Sequence, residues 1–583
     1  MRALERTAAI ERNPRRTLPI IIEELAGRQA SAPALVSPEA SLSYRALTER
    51  ANRYARWALA EGLEPGDVVC LLLKNCPDYI ALWLGLTRVG VVVALLNTHL
   101  IGEPLLHSMR IVSPRLLIAG GSFAERLHGD AAGIAESLAS WVHGEGDTRL
   151  PRVDQALERF SAEPLTECGS SPSLADRALY IYTSGTTGLP KAAVVSHHRL
   201  MQWSHWFAGL MDITPADRLY DCLPMYHSVG GVVATGATLV GGGTVVVRER
   251  FSASGFWPEV REERCTIFQY IGELCRYLVN SPGNPEREAA GHCLRLACGN
   301  GLRAEVWKEF QSRFRIPEVL EYYAATEGTF SLYNCEGRVG SIGRIPPYLS
   351  HRYRVDLVRC DPSSGAPIRD AQGLCLRCGP EETGEAIGRI ATSAGGAGAR
   401  FEGYADPEAS RSKVLRDVFE PSDAWYRTGD LMRRDAQGFY YFVDRIGDTF
   451  RWKGENVSTT QVASVLAGCR GITDVAVYGV AVPGTEGRAG MAALVVGPEF
   501  ELGAFRRELA QRLPDYARPV FLRLVPALDV TGTFKLRKQE LAAQGFDPAR
   551  TDDPLYCDDP VQAQYQRLET GLHQRILTGL ERL

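Results

Sequence analysis

At 583 residues the chain is too long for a single core and divides into two or more domains. Its hydrophobic content of 45% and charged content of 23% are those of an ordinary globular protein, and a net charge of −4 excludes a nucleic-acid binder that works through bulk electrostatics. The 14 cysteines are scattered, and the one close pair, Cys375 and Cys378, lacks the second pair a zinc site needs, so they read as reduced thiols in a cytosolic protein.

The chain opens on Met1-Arg-Ala-Leu-Glu-Arg6, which mixes charges and has no apolar signal core. Ser41 to Tyr44 alternates like a short strand, and Arg45 to Ala55 repeats apolar residues at helical spacing. Asp67 to Leu73 is a continuous apolar run, as expected of a strand buried on both faces. The longest apolar region, Tyr79 to Leu96, is interrupted by Arg88 and two glycines. Pro77 to Arg88 therefore reads as a buried helix and Val91 to Leu96 as a strand, not as a membrane span. Strand–helix alternation recurs through Arg115–Ile118, Leu179–Tyr182 and Thr244–Val247, which predicts layered α/β sheets with parallel strands. Near residue 440 the character changes. Gly438 to Val443 reads as a strand that runs into Asp444-Arg-Ile-Gly-Asp448. A smaller α+β unit follows: a helix from about Thr460, strands at Asp474–Tyr478 and Met491–Val496, a helix from Leu502 to Leu513 and a strand at Val520–Leu524.

The stretch with the most chemistry is Tyr180-Ile-Tyr-Thr-Ser-Gly-Thr-Thr-Gly-Leu-Pro-Lys191. Gly185 and Gly188 let backbone N–H groups close on an anion, Thr183, Ser184, Thr186 and Thr187 add hydroxyl donors, and Lys191 adds a mobile charge. This is a phosphate cradle but not a Walker A loop, since the chain contains no Gly-Lys dipeptide. It resembles the nucleotide loop of the adenylate-forming enzymes: acyl-CoA synthetases, luciferases and peptide-synthetase adenylation domains. Further motifs carry the same resemblance. In Glu321-Tyr-Tyr-Ala-Ala-Thr-Glu-Gly328 it implies that Tyr323 and Ala324 face adenine, Thr326 bonds the α-phosphate and Glu327 ligates Mg²⁺, a metal that takes one or two carboxylates and completes its shell from phosphate and water. In Trp425-Tyr-Arg-Thr-Gly-Asp430 it implies that Asp430 accepts both ribose hydroxyls, and in Asp444-Arg445 that Arg445 also reaches the ribose or phosphate. Gly299-Asn300-Gly301 either lets backbone approach the adenine or is a plain turn. Thr531-Gly-Thr-Phe-Lys535 matches the C-terminal lysine motif, although Phe534 stands where the family usually has glycine and Lys538 is a nearby competitor.

Asp444 to Thr460, Phe268 to Tyr277, Val482 to Gly490 and Tyr516 to Pro519 are similar to the fatty acid transport protein and very-long-chain acyl-CoA synthetase branch. That resemblance implies a large N-terminal adenylating domain over residues 1–445, with a distorted β-barrel subdomain, and a small mobile C-terminal domain over 446–583 hinged at Gly447. It implies a long-chain fatty acid–CoA ligase with fatty acid, ATP, Mg²⁺ and CoA as partners. Lys535 would neutralise charge during adenylation, and the loop from Arg451 to Asn456 would face the site during thioester formation. Tyr226-His227-Ser228 resembles the motif beside the acyl carboxylate, with His227 guarding access. Val232–Ala234, Gly241–Gly243 and Tyr270–Gly272 are candidate acyl walls, whose glycines either leave room for an alkyl chain or permit close packing. The N-terminal membrane segment of the animal transporters is not represented, which favours a cytoplasmic enzyme, at most peripheral to the inner face of the membrane. Two rivals are an adenylating ligase that passes another acid, or an oxyanion such as nitrite, to an amine, and a lipid-uptake carrier.

Overall fold

In the computed structural model the chain forms two compact units, Met1–Gly343 with Arg400–Lys413, and Arg344–Ala399 with Val414–Leu583. The structure describes residues 1–123, 138–146, 150–165, 171–183, 189–284, 288, 290–361, 364–391, 400–453, 455–483, 485, 487–530 and 536–581.

The first unit is built on strands β1 (Pro33–Val36), β2 (Ser41–Ser43), β3 (Val68–Leu72), β4 (Val92–Leu95), β5 (Leu116–Gly120), β6 (Ala139–His143), β7 (Arg177–Thr183), β8 (Lys191–Ser196), β9 (Arg218–Asp221), β10 (Thr244–Val247), β11 (Ile267–Ile271), β12 (Leu296–Asn300), β13 (Glu318–Ala324) and β14 (Ser331–Asn334). They form a six-stranded sheet, β6-β5-β3-β4-β7-β8, and an eight-stranded sheet, β14-β13-β12-β11-β9-β10-β1-β2. The continuous apolar runs of β3, β4 and β10 are buried at every position, as double-faced helix cover requires. The interior strands are parallel, as expected from the alternation, but β2, β8 and β14 run antiparallel at the edges. The reason is chain length: β7 to β8 and β13 to β14 are joined by connections too short for the crossover that a parallel neighbour needs.

Helix Pro77–Arg88 has the bounds its sequence predicts, starts on proline and buries every residue except Asp78. It packs on helix Tyr44–Ala60 through Gly85, where an added Cβ would collide with Ala51 O and lie 2.8 Å from Tyr54 Cβ. The N-terminal helix Arg2–Ala8, which the sequence reading left unassigned, closes on helix His197–Leu210 in the same manner: a Cβ on Gly209 would strike the backbone of Ala3.

The second unit holds an antiparallel sheet of β15 (Val355–Val358), β16 (Thr383–Arg389), β17 (Val414–Arg416), β18 (Ala424–Arg434) and β19 (Tyr440–Arg445), in which the long strand β18 carries β16 along one edge and both β17 and β19 along the other. After it come a hairpin of β20 (Phe450–Trp452) and β21 (Glu455–Val457), and a sheet of β22 (Ile472–Val480), β23 (Ala489–Val496), β24 (Phe521–Leu524), β25 (Leu555–Asp559) and β26 (Gln564–Arg567). The hydrophobic cluster of this last part runs from Phe450 to Ile576 and includes no residue before 450. Asp444, buried at the end of β19, accepts from Thr459 N at 2.6 Å and from the Ser458 hydroxyl at 3.2 Å, and so fixes the start of helix Thr459–Ala467. Cys375 and Cys378 are buried free thiols, and among the described residues no helix is long and apolar enough to cross a membrane.

Gly85→Ala is expected to destabilise the first unit by about 1–3 kcal/mol through overpacking, read as a lower denaturant midpoint. A midpoint equal to that of the wild type contradicts the close helix contact.

Candidate active site

Two hairpin loops, one at an edge of each sheet of the first unit, carry the predicted phosphate and acid residues. Thr183 ends β7 and Lys191 begins β8. Ser184, Gly185, Thr186, Thr187 and Gly188 lie outside the described residues. Thr326 and Glu327 sit on the turn from β13 to β14. A third segment joins the two loops. Tyr404 pairs with Ala193 of β8, and its neighbours exchange backbone hydrogen bonds with the same strand, Val194 N to Gly403 O at 3.0 Å and Ala405 N to Ala192 O at 2.8 Å. The Tyr404 hydroxyl donates to Glu327 Oε1 at 2.7 Å, the Thr183 side chain also hydrogen-bonds Tyr404, and Lys191 Nζ lies 5.8 Å from the centre of its ring. Burial and the adjacent Glu327 carboxylate push the Tyr404 hydroxyl up, so it remains a donor.

The Glu327 turn is held from behind. Arg199, buried on helix His197–Leu210, donates to Thr326 O and to Arg400 O, both at 2.7 Å. Glu402 accepts from Ser196 N at 2.8 Å and from the Ser196 hydroxyl at 2.6 Å, and lies 3.6 Å from Arg199 Nε. The Thr326 hydroxyl is 3.2 Å from that of Ser228. Ser228 opens a π-helical segment, Ser228–Ala234, with His227 immediately before it and the His227 ring 4.6 Å from that of Tyr226. Gly230 and Gly231 are required there, because an added Cβ on either would strike the carbonyls of Leu223 or Met225. Asn300 ends β12, and Tyr323 and Ala324 end β13, so the predicted adenine residues share the carboxyl end of adjacent parallel strands. That is the end at which open α/β sheets bind ligands.

Sequence reasoning missed Tyr404, Arg199 and Glu402. None lies in the Thr183–Lys191 or Thr326–Glu327 motif, and Tyr404 is separated from Glu327 by 77 positions. The glycines of the proposed acyl walls resolve towards close packing. A Cβ on Gly241 would meet Ile213, one on Gly243 would lie 3.0 Å from Asp217 O, and one on Gly272 would strike Gly301 O.

In the second unit Asp430 and Arg445 face each other in register across β18 and β19, with Asp430 Oδ1 at 3.3 Å from Arg445 Nε. Lys535 lies outside the described residues. Its competitor Lys538 donates to Thr459 Oγ1 at 3.0 Å and sits 3.8 Å from Asp448, an engaged structural contact. Gly454 lies outside the described residues, between β20 and β21.

The donor set suits a magnesium ion. Glu327 supplies one buried carboxylate beside the Thr326 and Thr183 hydroxyls, and among the described residues no group of three His, Cys, Asp or Glu exists that would form a zinc or calcium cage.

The model of the AMP-binding enzyme family matches residues 22–373, and that of the AMP-binding enzyme C-terminal domain matches residues 461–535. The chain belongs to the AMP-binding enzymes. Among relatives of this family, it is 42% identical over 571 residues to the long-chain fatty acid transport protein 1 of Mus musculus, covering 97% of this chain and 88% of that protein. It is 40% identical over 550 residues to the medium/long-chain-fatty-acid–CoA ligase FadD6 of Mycobacterium tuberculosis, covering 93% and 88%. The crystal structure of the anthranilate CoA ligase AuaEII in complex with anthranoyl-AMP shares the fold, with a TM-score of 0.77 at 20% identity over 90% of this chain and 96% of that one.

A hydrogen bond to a charged group contributes about 1.5–3 kcal/mol, so Tyr404→Phe is expected to slow acid-dependent pyrophosphate release by about tenfold or more with the fold intact. A rate equal to that of the wild type contradicts the role given to the Tyr404–Glu327 contact.

Proposed function

We propose that this chain is an ATP-dependent long-chain fatty acid–CoA ligase that works through an acyl-adenylate. The observation that carries this reading is the meeting of Thr183 and Lys191 with Glu327 through Tyr404, which gathers phosphate donors and a carboxylate at the strand ends. The long-chain substrate class rests on the identity to proteins named for long-chain fatty acid transport and for medium/long-chain fatty acid ligation.

In the first half-reaction a carboxylate oxygen of the fatty acid attacks the α-phosphorus of ATP and pyrophosphate leaves. Thr183, Ser184, Gly185, Thr186, Thr187, Gly188 and Lys191 would hold the β- and γ-phosphates, and the Thr326 hydroxyl would bond the α-phosphate. Asn300, Gly299, Tyr323 and Ala324 would enclose the adenine, and Asp430 with Arg445 would hold the ribose. Glu327 would ligate Mg²⁺, which when bound neutralises phosphate charge. Lys535 would offset the charge that develops between carboxylate and α-phosphate. In the second half-reaction the CoA thiol attacks the acyl carbon and the C–O bond to AMP breaks. His227 would stand beside the acyl carbonyl on the path of the thiol. We place the mobile boundary at Ile446–Gly447, where Gly447 has φ +95° and the self-contained core begins at Phe450. The enzyme would act in the cytoplasm or peripherally on a membrane surface.

Incubation with ATP, CoA and fatty acids of increasing length is expected to yield acyl-CoA and AMP, identified by mass spectrometry. Failure with every acid from medium to very long chain overturns the substrate class. Lys535→Ala is expected to lose about a hundredfold or more in adenylation yet still to convert synthetic acyl-AMP to acyl-CoA. Equal loss in both half-reactions contradicts the assignment of Lys535 to the first step.

A further inference from the structure

Behind the adenine turn lies a buried acid that the proposed reaction does not use. Tyr270, Gly299 and Glu321 occupy one row across β11, β12 and β13. The Tyr270 ring lies across Gly299, where an added Cβ would be 2.5 Å from Tyr270 Cδ2 and 2.6 Å from Cγ. Only glycine leaves this path open, and along it the Tyr270 hydroxyl reaches Glu321 Oε2 at 2.5 Å. The other carboxyl oxygen accepts from Leu302 N at 3.1 Å, and Gly301 N–H adds a further donor. Gly301 adopts φ +77°, and the backbone of Gly272 packs directly on its carbonyl. One carboxyl thus ties β13 to β11 and to the turn that follows Asn300.

We propose that Glu321 is a positioning residue for the nucleotide: its carboxylate, reached by Tyr270 across Gly299 and by the N–H groups of Gly301 and Leu302, fixes the turn that presents Asn300 to the adenine ring. The donor count supports the ionised form as the organising one. The N–H groups of Gly301 and Leu302 can only donate and the Tyr270 hydroxyl can donate or accept, so a carboxylate accepts from all three, whereas a protonated acid donates to the Tyr270 oxygen and displaces the phenol hydrogen from that contact. Burial opposes that form and pushes Glu321 up to about 8, against the three hydrogen bonds that favour the charge. The titratable groups coupled to it are Tyr270 on β11, Cys275 on helix Gly272–Asn280, Cys298 on β12 and Tyr322 on β13, all kept neutral by burial, and among the described residues no cation hydrogen-bonds or ion-pairs with it. The organising charge therefore forms over a neutral to mildly alkaline range, and nucleotide affinity rises with it.

This role rests on the ATP reading of the site, so the test measures binding of MgATP directly, by equilibrium dialysis, alongside KM and kcat for acid-dependent pyrophosphate release. With Glu321 titrating near 8, the wild-type KM for ATP is expected to fall by about tenfold between pH 7 and pH 9, with kcat little changed. Glu321→Gln, whose amide must donate as the neutral acid does, is expected to hold the higher KM throughout that range. Tyr270→Phe removes a donor that favours the charge and is expected to move the fall to higher pH. A fall of equal size in Glu321→Gln, or an unmoved transition in Tyr270→Phe, overturns the positioning role. Wild-type protein that binds no MgATP at any pH overturns the ligase reading itself and the role that rests on it.

Discussion

The hydrogen bond from Tyr404 to Glu327 is the contact on which the site depends. Each sheet of the first unit has an antiparallel edge strand, β8 or β14, that is entered through a short loop carrying part of the proposed chemistry. The predicted phosphate loop joins two strands of the six-stranded sheet, and the Thr326–Glu327 turn joins two strands of the eight-stranded one. Neither sheet alone sets the distance between them. The segment Arg400–Lys413 does so by pairing with β8 through its backbone and reaching Glu327 with a side chain. A buried phenol that gave up this donor role would leave two buried oxygens facing each other, which is costly in a site of low polarity.

Close backbone approach is the second constraint. Gly230, Gly231, Gly272 and Gly299 each stand where a Cβ would strike a carbonyl, so the strand ends and the π-helical turn pack without side chains between them. That packing gives Thr326 and Asn300 a rigid setting. Arg199 and Glu402 reinforce it with hydrogen bonds to the carbonyl of Thr326 and to the amide and hydroxyl of Ser196. The geometry makes the acid turn a fixed feature on which charge can be placed in advance of reaction.

Much of this was legible in the sequence, because local physics writes it there. The helix Pro77–Arg88, the buried strands Val68–Leu72 and Thr244–Val247, and the small unit after residue 450 follow from apolar runs and their periods. The Thr183–Lys191 run was marked by its glycines, hydroxyls and lysine, and Thr326–Glu327 by its distance downstream of that run, while Ser184 to Gly188 lie outside the described residues. Contacts between distant segments were not legible. Tyr404 carries no local signature, and its value comes only from the strand pairing that brings it beside Glu327. The same holds for Tyr270 and Glu321, whose link is visible only when β11, β12 and β13 are in register with glycine between them. The antiparallel edges and the π-helical turn were hidden as well, since periodicity reports burial and not strand direction.

In the proposed reaction the acid is activated by joining one of its own oxygens to the α-phosphorus, with the gathered phosphate donors and carboxylate holding the nucleotide for that attack. The most direct measurement uses a fatty acid labelled with oxygen-18 in its carboxylate, turned over with ATP and CoA, and follows the label by mass spectrometry. AMP carrying one labelled oxygen is expected, because the bridging oxygen leaves with the nucleotide when the thiol attacks. Label in inorganic phosphate, with ADP as the nucleotide product, would contradict activation at the α-phosphate.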